Sequence, residues 1–136
     1  MANENLKKPG APGMDLGDFT PAQNQALLDL LVLAMYQDGN LAQAEQARLQ
    51  QLLTAMGFAS DYDRNRELDA AVTRVRRQAR TPSDVKICVG KLSGNFTTRE
   101  QQQRVFILLN ELTAVDGRVS AEENKFLSSI KTTFKM

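Results

Sequence analysis

From residue 20 onward, apolar positions recur every three or four residues, and no segment alternates with the two-residue period of a strand. The pattern predicts an all-α chain. Thr20-Pro21 pairs a capping hydroxyl with a proline suited to the first helical position. The stripe Leu27, Leu30, Leu31 and Ala34 then runs toward Asp38, where Gly39 supplies a left-handed stop. A second helix is expected from about Ala42 to Met56, with Leu49, Leu52, Leu53 and Met56 inward and Gly57 as its end.

Ser60, with Asp63 three residues on, opens a charged helix to about Arg80 whose inward face is Leu68, Ala71, Val72, Val75 and Ala79. Thr81-Pro82 repeats the start signal for a short helix closed by Gly94-Asn95. Thr98 and Gln101 form a capping-box pattern ahead of a helix from about Arg99 to Val115. Ser120 and Glu123 do the same for the last helix, which turns Phe126, Leu127 and Ile130 inward. The expected fold is a compact bundle of about six to seven helices. Residues 1–19, rich in Gly and Pro and poor in large apolar groups, read as a flexible tail ahead of a domain over 20–136.

The two Asp-Gly breaks match over their flanks, Asp38-Gly39-Asn40-Leu41-Ala42-Gln43-Ala44-Glu45 against Asp116-Gly117-Arg118-Val119-Ser120-Ala121-Glu122-Glu123. At the same offset Leu31 falls on Leu109, Leu41 on Val119, Leu49 on Leu127 and Leu52 on Ile130. Turn residues and core residues repeat together, so a helical hairpin is duplicated.

Two readings of these turns stay open. In one, Gly39 and Gly117 adopt left-handed backbone, Leu41 and Val119 plug the turn, and Glu45 and Glu123 reach back to free N–H groups. In the other the turns hold a cation. A carboxylate at a helix C-terminus opposes the helix dipole at a cost of ~0.3–1 kcal/mol, which something must offset. Asp-Gly-x-apolar-x-x-x-Glu is also the latter half of an EF-hand loop. The first half is missing, since Ala34 and Tyr36, or Leu112 and Ala114, stand where its earlier ligands belong. Two half-loops that met would pool Asp38, Glu45, Asp116 and Glu123.

Composition narrows the chemistry further. The 136 residues are 42% hydrophobic, which suits one domain with one core. His is absent and Cys88 is the sole cysteine, which removes soft-metal sites, the usual general base and His-assisted nucleophiles. A bound metal would therefore be an oxygen-liganded cation such as calcium, magnesium or manganese. Cys88 shares an apolar stripe with Val85, Val89 and Leu92 and reads as an inert core thiol. With 17 basic against 16 acidic residues, no global field draws nucleic acid or an anionic membrane. The longest apolar run, Leu30 to Tyr36, falls far short of the ~20 residues that cross a bilayer, and the N-terminus lacks a secretory apolar core. A cytoplasmic protein is the expectation.

Paired helical hairpins, each carrying Asp-Gly-x-(Leu/Val)-x-x-x-Glu, resemble the tellurite-resistance B (TerB-like) family of bacterial stress-response proteins, over roughly residues 20 to 134. The resemblance implies an all-helical, non-enzymatic binding module. It implies a divalent cation on Asp38, Glu45, Asp116 and Glu123, and partners among the proteins of a stress-resistance complex, with a location peripheral to the inner face of the membrane. Tyr36-Gln37 departs from the small residues that related domains place ahead of Asp-Gly. The alternative is a protein-interaction domain whose Asp-Gly turns are purely structural.

Two weaker candidates remain. Arg74, Arg76, Arg77 and Arg80, with Arg64 and Arg66 earlier, form a basic stretch in which Arg66, Arg74 and Arg77 can share one face. A solvated helix face is the plain reading, and an acidic protein or headgroup surface is the functional one. Glu111, Glu122 and Glu123 are the crowded carboxylates near a turn, where an enzyme would seek its acid or base. Glu122, Arg74 and Arg77 are accordingly retained as binding candidates.

Overall fold

A computed structural model describes residues 19–36, 43–115, 117 and 119–136. Among them are six α-helices: α1 (Pro21–Met35), α2 (Gln43–Ala55), α3 (Asp61–Gln78), α4 (Pro82–Ser93), α5 (Arg99–Ala114) and α6 (Ala121–Phe134). The described residues contain no strand, and the chain is an all-helical bundle. The expected N-terminal tail lies outside the described residues except for Phe19. That residue is buried, with its ring 5.3 Å from the ring of Phe96, and belongs to the core.

Local signals set the helix starts as read. Thr20, Ser60, Thr81, Thr98 and Ser120 each occupy the N-cap with a side chain accepting from the backbone N–H three residues on. Gly57 ends the second helical segment at φ +108°, a left-handed backbone that suits glycine. The box at Thr98 forms only by half. Gln101 Oε1 accepts from Thr97 N–H at 3.2 Å, one residue early, because it also faces Gln23 Nε2 of α1 at 3.4 Å. The complete box forms at the equivalent place in the first hairpin, between Thr20 and Gln23.

The offset that carries Asp38 onto Asp116 also carries α1 onto α5 and α2 onto α6. Leu27 and Val105, Leu30 and Leu108, Leu49 and Leu127, and Leu52 and Ile130 are buried in both copies. Gln23 and Gln101 are themselves equivalent and touch, so the two hairpins meet at the starts of α1 and α5. Cross-packing completes the arrangement: α1 lies on α6 as α2 lies on α5.

α1 is more than an amphipathic helix. Besides the expected stripe it buries Leu28, Val32, Leu33 and Met35, because it packs against α3, α4, α5 and α6. A helix apolar all round is a central helix, and each fully buried Leu contributes about 1.5–3 kcal/mol. Asp29 is the exception within it. Its carboxylate, 7% exposed, is held by Arg74 of α3, whose Nη2 and Nε donate at 2.8 and 3.0 Å.

Candidate functional site

The second acidic turn follows directly from its sequence. Gly117 has φ +84° and donates to the Ala114 carbonyl at 3.0 Å, while Val119 packs half-buried on the core. Ser120 then caps α6: its Oγ accepts from Glu123 N–H at 3.1 Å, and Glu123 Oε1 accepts from Ser120 N–H at 3.0 Å. Glu123 is 2% exposed. In the first hairpin Glu45 occupies the equivalent first-turn position of α2 and is 3% exposed. Asp38, Gly39, Leu41 and Asp116 lie outside the described residues.

The starts of α2 and α6 each lie beside the end of α1. Tyr36, at the end of α1, lines one cavity with Gln46 and Ala47 of α2, and a second with Glu122 and Lys125 of α6. Across the α2–α5 seam, Arg48 Nη2 donates to Glu111 Oε1 at 2.6 Å, one turn beyond Glu45. Two buried glutamates therefore head equivalent helices beside the end of α1. Among the described residues no group of three or more Asp, Glu or Cys is close enough to hold a metal.

Residues 24–136 match the family described as tellurite resistance protein TerB. The chain belongs to the TerB family. It is a tellurite-resistance-related domain, and the resemblance read from the paired Asp-Gly turns is the family that matches. No curated protein and no solved structure matches it.

In this TerB-family domain the remaining candidates are distributed as follows. Arg74 is half-buried and engaged with Asp29, whereas Arg66 and Arg77 are exposed. Arg64 fastens the α2–α3 connection, donating to the Ala59 carbonyl at 2.6 Å and to Gln50 Oε1 at 2.8 Å. Of the crowded carboxylates, Glu111 pairs with Arg48, Glu123 caps Ser120, and Glu122 is exposed. Burial pushes the Cys88 thiol above its ordinary range; Asp29 adds to the shift and Lys91 opposes it. Such a thiol is a poor nucleophile at neutral pH. No described helix is long and apolar enough to cross a membrane.

Sequence reasoning missed the ion pairs Asp29–Arg74 and Arg48–Glu111 and a groove. Asp29 was the available signal, since a carboxylate inside the apolar run of α1 requires a buried partner. The groove, about 890 Å³, lies between the end of α1, the second half of α3, the start of α4, and α6. It is open to solvent, and its lining residues belong to helices distant in sequence.

Proposed function

We propose that this TerB-family domain is a non-catalytic binding module of a bacterial tellurite- and stress-resistance system, and that its duplicated acidic turns take one divalent cation. The observation that carries the reading is the equivalence of Glu45 and Glu123. Both are almost fully buried in the first turn of a helix that follows an Asp-Gly break. The sequence adds Asp38 and Asp116, one in each repeat of the same motif, so the duplicated motif carries four carboxylates. Brought together, four carboxylates would favour a cation, and calcium or magnesium takes oxygen ligands of this kind, completed by carbonyls and water. Calcium fits the half-loop pattern best, with magnesium and manganese as hard-cation competitors.

We place the domain in the cytoplasm, beside the inner face of the membrane and in a complex with other resistance proteins. A second reading, in which the turns are structural and the domain acts by binding protein, is favoured by the open groove beside α6.

A backbone-amide NMR titration of the chelator-stripped chain with calcium, magnesium and manganese tests the cation. Saturable shifts or manganese broadening at residues 38–45 and 116–123, lost in an Asp38→Asn, Asp116→Asn variant, are expected. No response at millimolar ion leaves the turns structural and the function with the groove.

A further inference from the structure

We propose that the groove bounded by α1, α3, α4 and α6 receives an acidic amphipathic helix of a partner protein; the inference rests on the protein-binding reading above. Leu33, Val75, Val89 and Phe126 form its buried floor, and Tyr36 and Val85 offer further apolar contact. Around them stand four exposed cations, Arg76 and Arg80 from α3, Lys86 from α4 and Lys125 from α6. Among the described residues, none of the four is ion-paired, and Glu122 is the single carboxylate in the lining. On a chain of net charge +1, this is a local concentration of like charge.

The pseudo-repeat shows how unusual this seam is. At the equivalent place between α2 and α5, Arg48 stands for Phe126 and Glu111 for Leu33, and the two charges satisfy each other. On the α1–α6 side that pair is apolar, and the surrounding cations have no ion-pair partner among the described residues. An apolar floor ringed by exposed cations complements a helix with apolar anchors on one face and Asp or Glu beside them.

Other classes of partner fit less well. The floor is recessed below the charges, so a flat bilayer reaches the cations without the apolar residues. Among the described lining residues the exposed aromatic surface is Tyr36 at one end, which is too little for the stacking that single-stranded nucleic acid requires.

The test uses the full, chelator-treated chain, which removes any cation held by the acidic turns. A displayed library of random peptides about four helical turns long is selected on it. An Arg80→Glu, Lys125→Glu variant serves for counter-selection; both positions are exposed, and circular dichroism checks that the helices persist. If that variant loses helicity, Arg76→Glu, Lys86→Glu replaces it. Expected are peptides with apolar residues at i, i+3 or i+4, and i+7, flanked by Asp or Glu. Their amide shifts should map to residues 75–89 and 122–129, and charge reversal should weaken binding by roughly tenfold or more, as for other complementary charged interfaces.

Neutral or basic peptides mapping to the groove overturn the acidic partner while sparing protein binding. No recovered peptide overturns both. Three further results also overturn the proposal by assigning the groove elsewhere: groove shifts on deleting residues 1–18, self-association abolished by charge reversal, or binding to phosphatidylglycerol vesicles alone.

Discussion

Arg48 and Glu111 join α2 to α5 through a 2.6 Å contact, at the positions where the other half of the pseudo-repeat places Phe126 and Leu33. One seam carries an ion pair, and its twin carries two buried apolar residues beneath an open groove. The ion pair is shielded on the arginine side, 16% exposed, and open on the glutamate side, 39% exposed. Solvent screening therefore holds its worth to about 1 kcal/mol or less.

Copying one seam onto the other tests their equivalence. Arg48→Phe alone should lower stability by about 1 kcal/mol, whereas Arg48→Phe with Glu111→Leu should match the parent to within about 1 kcal/mol. Urea unfolding of the single and double variants reads the coupling. A double variant less stable than both singles would sink the equivalence.

The Asp29–Arg74 pair is the more demanding one, because Asp29 sits inside the central helix. Arg74→Ala strands a buried carboxylate and should cost about 3 kcal/mol. Asp29→Leu combined with Arg74→Met removes both charges and should recover most of that loss. Thermal and denaturant unfolding decide between this and a solvated, dispensable arginine.

Glu123 distinguishes a turn from a cation ligand. Glu123→Gln keeps an oxygen to accept from Ser120 N–H, so stability should change by about 0.5 kcal/mol or less, while Glu123→Ala should lose about 1 kcal/mol. The ion-induced amide shifts at 116–123 should disappear in Glu123→Gln nonetheless. If they persist undiminished, Glu123 is a cap and not a ligand.

Gly117→Ala should destabilise by about 1 kcal/mol or more through backbone strain alone, since an added Cβ meets nothing within 4 Å but φ is +84°. A neutral result by denaturant titration would mean that the turn readjusts.

Cys88 gives a pH dependence with a defined sign. Its folded pKa lies above the ordinary 9.0, so the unfolded chain releases the proton first. Stability from this group is complete below about pH 9 and falls as pH rises from there through the folded value. Cys88→Ala should flatten that alkaline decline, and Asp29→Asn should lower the thiol pKa by removing the second cause of its shift. Denaturant unfolding against pH checks the first, and alkylation rates against pH check the second.

The sequence by itself determined the helices, their caps and the duplication, because these are recorded within a few residues of each other. Thr20, Ser60, Thr81, Thr98 and Ser120 bond to backbone three residues away, and Gly57 and Gly117 relieve local strain. The Asp-Gly repeat was equally legible, and with it the family. Only the tertiary structure decided which charges are structural and which are available. Arg74 is identical in type to Arg76, yet it turns toward Asp29 while Arg76 joins Lys125 at the groove. That choice depends on which helices pack on α1. Ion pairing and groove formation join residues far apart along the chain, and local periodicity carries no record of those neighbours.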